Sequence, residues 1–477
     1  MQWQRWQLAP RYAQGVTSRP LAGWPSSAAR RPNVILIVLD ATRAANLSLY
    51  GYERPTTPRL ERFAEGAIVY ERAIATSCWS LPCHASIFTG LYPSAHGADD
   101  QHQFLDQRHP TMAGILADAG YQTIGLCEKR DVGPTTGADR GFQRFDQRHG
   151  SRSGLLTRRL ENGFGRLTGT RDAGLARTSR KMRALLPKLA ASEEPFFLFV
   201  STVESHIPYR PPRRYDMFRP PGVTRRQAGR VNQDRWAYMS GRVPMEPEDF
   251  ETLRALYDAG IRYADAALGR WFEWLEALRL LDDTMVIVTA DHGENLGEHG
   301  LMAHGYCLYD TVIRVPLIIR YPADVAAPGR VTHQVQGVDL LPTVLSLAGV
   351  EAPSGVGLAG HDLLSSTRHD YTVAEQARPD MATFRRRFPE ADLRAHDREL
   401  RMIRTDDAKF IWSSDGRHEL YDLLADPGET RDVAGERPDQ VAEMARRLED
   451  WVASRAPAQA PPVTSQALDR PDVVPDR

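Results

Sequence analysis

The chain has 477 residues, 42% of them hydrophobic and 25% charged, with 60 Lys and Arg against 61 Asp and Glu and a formal net charge of −1. That balance is ordinary for a globular protein and excludes recognition of nucleic acid or an anionic membrane through bulk charge, so any attraction for an anion must be local. No run of about 18 apolar residues occurs, and no membrane span is predicted.

In chain order, residues 1–31 are rich in Arg, Trp, Pro and Ser and lack the apolar core of a secretory signal. Arg30-Arg31 leads directly into a strand and is not a twin-arginine leader. This stretch reads as an N-terminal extension, and the chain as cytoplasmic. Val34–Leu39, between Pro32 and Asp40, is a short apolar run rich in β-branched residues, the pattern of a buried parallel strand. Similar runs recur at Gln122–Cys127, Phe196–Val203, Thr284–Thr289 and Val315–Ile319. Helical patterns fall at Pro58–Glu65, Met112–Ala119, Leu175–Ala190 and Phe250–Leu280, with a further helix over Asp339–Ala348 stopped by Gly349. The alternation predicts an α/β fold for residues 32–360, a large mostly parallel sheet sandwiched by helices.

Beyond Gly360 the runs shorten. Leu400–Thr405, Lys409–Trp412 and His418–Tyr421, separated by Asp-Asp and Asp-Gly turns, predict a small antiparallel sheet. Pro438–Ala453 predicts an amphipathic helix with Val441, Met444, Leu448 and Val452 on one face. Residues 361–456 therefore read as a C-terminal subdomain, and the Pro-, Ala- and Asp-rich residues 457–477 as a disordered tail. Ser151–Leu189 and Pro211–Arg230 carry many cations and read as a solvated helix face and a surface insertion, with a substrate-facing lid as the sharper alternative. Cys78, Cys83, Cys127 and Cys307 lack a CxxC metal spacing and read as reduced, buried thiols.

Ligands of open α/β sheets bind beyond the carboxyl ends of the strands. Those ends deliver Asp40, Asp291 with His292, and Glu204-Ser205-His206 to one edge from distant parts of the chain. Between Ser77 and Gly90, Pro82 suits the first turn of a helix and Gly90 its C-terminal stop. Ser80 then lies at the helix N-terminus, where free N–H groups favour an anion, and His84 lies on the same face one turn on. A serine that merely caps a helix has the same local pattern.

The Ser80–Gly90 segment resembles the sulfatase signature, in which Cys or Ser is followed by x-Pro-x-Arg and, at fixed spacing, by Thr-Gly. The spacing from Pro82 and Thr89-Gly90 places Ser80 at the nucleophile position. Further blocks extend the resemblance from Asn33 to about Trp451: Tyr50-Gly51-Tyr52, Thr56-Thr57-Pro58, His206-Ile207-Pro208-Tyr209, Asp291-His292-Gly293-Glu294, Gly297-Glu298-His299-Gly300, His304-Gly305, Glu419–Leu423 and Asp426–Glu429. It implies an alkaline phosphatase-like fold and a metal-dependent sulfuric ester hydrolase. By the same resemblance Asp40, Asp291, His292 and the Ser80 oxygen surround one divalent cation, while His206, His304 and Lys129 hold the ester oxygens. His299 is left a structural role in its turn.

The chain departs from that pattern at three positions. Ala41 stands where many sulfatases have a second Asp, His84 replaces the Arg of the modification signature, and His292 replaces an Asn. Unmodified serine rather than formylglycine is therefore expected at Ser80, with His84 stabilising the bound anion or shuttling a proton, and Arg43 either supplying some of the missing positive charge or serving as a surface residue. An imidazole ligand makes Mn²⁺, Mg²⁺ or Zn²⁺ as acceptable as Ca²⁺. A plain serine also keeps open a phosphoesterase, phosphonate hydrolase or phosphotransferase, and the departures a non-catalytic binding protein. The expected partner is a small-molecule or glycan sulfate or phosphate ester.

Overall fold

The computed structural model describes residues 31–147, 172–323 and 325–455. The N-terminal extension, the first part of the Arg/Lys-rich stretch and the C-terminal tail lie outside the described residues. The strands are β1 (Asn33–Leu39), β2 (Ile68–Ile74), β3 (Gln122–Cys127), β4 (Arg144–Gln147), β5 (Phe196–Thr202), β6 (Thr284–Thr289), β7 (Asn295–Leu296), β8 (Met302–Ala303), β9 (Arg314–Arg320), β10 (Gly329–Gln336), β11 (Thr372–Gln376), β12 (Leu400–Arg404), β13 (Ala408–Ser413) and β14 (Glu419–Asp422). Eight of them form one sheet in the order β10-β2-β9-β6-β1-β5-β3-β4. β9 runs antiparallel to β2 and β6, and the other pairings are parallel.

β1 is central because its side chains find apolar partners on both faces. Val34, Leu36 and Val38 join a core with Ile87, Phe88, Met112, Leu341 and Val344. Ile35, Ile37 and Leu39 join a second core, with Leu60, Leu186, Leu256 and Trp271. The period-2 alternation of a strand thus serves two helical layers at once. Among the described residues the helices of seven or more residues are α1 (Pro58–Ala64), α2 (Ser80–Thr89), α3 (Met112–Asp118), α4 (Leu175–Ala190), α5 (Pro247–Ala277), α6 (Leu340–Ala348) and α7 (Pro438–Arg455). Gly349 ends α6 in the left-handed conformation, as its position predicts.

β2, β4, β10 and β11 lie outside the sequence expectation. Glu71 and Arg72 interrupt the apolar run of β2, and Arg330 of β10 pairs with Glu71 at 2.7 Å. β10 and β4 are sheet edges, so each needs only partial burial. β11 leads the antiparallel sheet β11-β12-β13-β14. On that sheet α7 buries Met444, Leu448 and Trp451, an i, i+4, i+7 stripe, with Val441 and Val452 half-buried beside it. Trp451 meets Tyr92 edge-on at 4.9 Å and so ties α7 to the main domain.

An ionic cluster joins the two sheets. Lys409, wholly buried, reaches Asp310 at 2.7 Å and also Glu429, while Arg404 reaches Asp310 at 3.2 Å. Glu375 and Gln376 of β11 face the main domain too. Ser94 N–H donates to Glu375 at 2.9 Å, and the Gln376 amide donates to the Gly305 carbonyl at 2.9 Å. All four cysteines are buried and free, and among the described residues no helix is long and apolar enough to cross a membrane.

His96 gives the fold a definite acid response. Its Nδ1 accepts from Ala98 N–H at 3.1 Å, so its Nε2–H faces the Ser86 hydroxyl at 3.1 Å and the ring is held neutral. Burial, with some help from His109, pushes its pKa down to about 3. In the unfolded chain the ring titrates near 6.5, so unfolding takes up a proton below that pH. The stability this group contributes is complete above about pH 6.5 and declines as pH falls toward 3, by about 1.4 kcal/mol per pH unit at most. Urea midpoints between pH 7 and 5 should fall more steeply for the wild type than for His96→Asn. Parallel profiles would contradict the assignment.

Candidate active site

The turn after β1, the start of α2 and the turn after β6 converge at the carboxyl edge of the sheet. α2 begins at Ser80, and its N-cap Trp79 makes no side-chain cap bond, which leaves the first N–H groups of the helix for the site. Gly90 closes α2 with φ +67°, and a Cβ there would come within 2.9 Å of Leu358. Asp40, Asp291 and His292 are buried, with potential ligand atoms all within 4.8 Å of one another. The Ser80 hydroxyl stands 3.4 Å from Asp40 Oδ1 and 3.2 Å from His292 Nε2.

The surroundings fix each group. His292 Nδ1–H donates to the Gly293 carbonyl at 2.8 Å, which leaves Nε2 its lone pair. Asp291 Oδ1 accepts from the backbone N–H of Ala41 (3.1 Å) and of His292 (2.9 Å), while its Oδ2 is buried without a hydrogen bond. Gly293 must be glycine, since a Cβ would lie 2.3 Å from the Thr311 carbonyl oxygen. Ala41, at the place where the resemblance expects an acidic ligand, has a left-handed φ of 58°. Its carbonyl accepts from Tyr257 at 2.8 Å. The Ser205 hydroxyl holds the Asp40 carbonyl at 2.9 Å.

Lys129 Nζ lies 3.0 Å from Asp40 Oδ2. Burial raises the proton affinity of Asp40, but Lys129, His206 and His292 outweigh it and hold the carboxyl well below its usual range. Burial alone would lower the Lys129 pKa; Asp40 and Asp291 reverse that and keep the ammonium charged. His206 and His304 stand beside this group, their ring centres 4.9 Å apart, with His304 4.2 Å from His292. Burial and Lys129 push His206 down to about 3. His304 Nδ1 is 2.7 Å from Glu294 Oε1. Burial drives His304 well below its ordinary value and raises Glu294 to about 8.

His84 is wholly buried, its Nδ1 2.8 Å from the Ser80 carbonyl and 3.5 Å from Asp291 Oδ2. Its ring meets Phe88 and Phe199 edge-on, and burial lowers its pKa. Arg43 is not at the site. It is buried, and its guanidinium is taken up by Glu298 (3.0 Å), Asn46 and the Glu294 carbonyl. His299, with φ 54°, stacks on Tyr309 with ring centres 3.7 Å apart. Glu294 escaped the sequence reading, although it stands in the Asp291–Glu294 block two residues past His292. Arg235 also escaped it. No motif marks that position, and only the folding of residues 203–246 brings it near His304.

A sequence model of the sulfatases spans residues 32–350. The chain belongs to the sulfatase family. A second model, of the C-terminal region of N-sulphoglucosamine sulphohydrolase, spans residues 297–455. This sulfatase is 26% identical to the uncharacterized sulfatase YidJ of Escherichia coli, over 85% of this chain and 83% of that one. It is 25% identical to the ulvan-active sulfatase of Formosa agariphila, over 85% of this chain and 77% of that one. The crystal structure of the phosphonate monoester hydrolase of Agrobacterium radiobacter superposes with a TM-score of 0.73 at 22% identity, covering 89% of this chain and 96% of that one. The fold is the alkaline phosphatase-like fold, and the protein is a metal-dependent sulfuric ester hydrolase.

Proposed function

We propose that this sulfatase cleaves the sulfate ester of a glycan or related alcohol with unmodified Ser80 as its nucleophile. The observation that carries the reading is the Ser80 hydroxyl at the open end of α2, within 3.4 Å of Asp40 and 3.2 Å of His292. The ulvan-active relative supports a saccharide as the alcohol. The unbonded Asp291 Oδ2 and the lone pair of His292 Nε2 are the donors a divalent cation takes, with Asp40 as third ligand and the Ser80 oxygen beside them. When bound, the cation supplies positive charge that lowers the proton affinity of the serine hydroxyl.

Ser80 Oγ attacks sulfur as its proton passes to solvent, and the bond from sulfur to the alcohol oxygen breaks. Lys129 and the N–H groups of α2 offset charge on the sulfuryl oxygens. The departing oxygen takes the Nε2 proton of His304, while the proton of Glu294, retained at neutral pH, passes to Nδ1. Water gives a proton to the unprotonated His206 and attacks sulfur; the serine oxygen leaves with that proton as sulfate is released, and Glu294 regains a proton from solvent. His84, bonded to the Ser80 backbone and packed on phenylalanines, acts as a positioning residue.

The second reading is a phosphate or phosphonate ester hydrolase, favoured by a nucleophile that needs no aldehyde chemistry to release its product. Paired turnover of 4-nitrophenyl sulfate and 4-nitrophenyl phosphate decides between them. A kcat/KM at least about 10-fold higher for the sulfate, some 1.4 kcal/mol in the transition state, is expected. The reverse ratio would establish the second reading, and turnover of neither would remove both.

A further inference from the structure

Arg235 opens a short helix, Arg235–Met239, that packs on β8, the strand running into His304. Its guanidinium carbon lies 4.8 Å from the centre of the Trp236 ring and 5.6 Å from that of Tyr306. Tyr306 is two residues past His304, and its ring meets Trp236 at 5.2 Å. The half-buried guanidinium therefore packs against two aromatic rings that meet each other edge to face. Among the described residues no carboxylate lies within ion-pair distance of it. By contrast, Arg387 is engaged with Asp234 at 2.5 Å and Lys129 with Asp40 at 3.0 Å.

A half-buried cation without an anionic partner is partly desolvated, and packing on aromatic rings offsets only part of that cost. Packing against the rings uses none of the guanidinium N–H donors, which are left for a planar or tetrahedral anion that they bind in pairs. The charge of Arg235 acts on Glu294, His304 and Tyr306, and that of Lys129 on Asp40, His206 and also His304. Arg235, on a helix packed against β8 and 5.6 Å from the Tyr306 ring, stands on the Tyr306 side of His304, the residue that gives its proton to the leaving alcohol in the reading above. We infer that Arg235 is a specificity-determining residue which binds a second anionic group, a carboxylate or a further sulfate, on the alcohol half of the substrate. The inference rests on the sulfate-ester reading above and names its substrate class: esters of acidic alcohols rather than neutral ones.

The test compares phenyl sulfate with 3-carboxyphenyl and 4-carboxyphenyl sulfate in the metal-loaded full chain, as wild type, Arg235→Gln and Arg235→Lys, with thermal melting to verify folding. The wild type should prefer the better carboxylated ester by at least about 10-fold in kcat/KM. Arg235→Gln should lose at least about 10-fold more on that ester than on phenyl sulfate, chiefly through KM, and Arg235→Lys should retain part of the preference. Equal losses on all three esters would overturn the inference, since Arg235 would then serve the ester sulfate or the fold. Turnover of phenyl sulfate without any wild-type preference would overturn it while leaving the sulfatase reading intact. Absence of turnover on every ester would remove both.

Discussion

Ser80→Ala is expected to lose turnover by about 10⁴-fold while keeping its fold and its metal content, because covalent catalysis has no substitute once the nucleophile is gone. The hydroxyl makes contacts at 3.2 and 3.4 Å only, so its loss opens little space and breaks no strong bond. Mass spectrometry of the peptide across Trp79–His84 belongs to the same experiment. Intact serine is expected, and formylglycine would appear as serine less two hydrogens. An active Ser80→Ala enzyme would remove the nucleophile assignment, and a predominant formylglycine form would replace plain-serine chemistry with the aldehyde route.

The second large effect is expected at Asp291. Asp291→Asn keeps an oxygen for the Ala41 and His292 N–H groups but removes the charge at the buried, unbonded Oδ2. Elemental analysis of the purified variant should show loss of one divalent ion per chain, with turnover down by at least about 10³-fold. His304→Ala provides the contrast: turnover should fall while the ion is retained. Full metal content with normal turnover in Asp291→Asn would exclude the proposed ligand set. Loss of the ion in His304→Ala would move that histidine into the ligand set.

The convergence of Asp40, Asp291 and His292 was legible because each follows an apolar run that can only be a buried parallel strand, and such strands end together. β1, β3, β5 and β6 were legible for the same reason. β2 was not: Glu71 and Arg72 make it read as surface, and the Arg330 side chain that accommodates Glu71 comes from a strand more than 250 residues away. Trp451 was missed on α7 because its partner, Tyr92, lies in the other part of the chain. Arg43, read from the sequence either as a charge for the site or as a surface residue, is buried instead. Its buried partner Glu298 arrives from a turn that sequence spacing does not connect to it. What stayed hidden, Arg235 included, depends on side chains that meet only after irregular segments have packed.

The Lys409–Asp310–Arg404 cluster has a genetic consequence. Asp310 lies six residues past His304, and two of its cationic partners come from β12 and β13. β11 meanwhile bonds to Gly305 and Ser94. A stop codon or proteolytic cut near residue 360 would leave Asp310 as a lone charge and strip the support from the His304 turn. The small sheet is thus no detachable accessory. A truncation allele lacking it should behave as a null even though each proposed ligand and catalytic side chain precedes the break. The two stretches must be inherited, expressed and transplanted together.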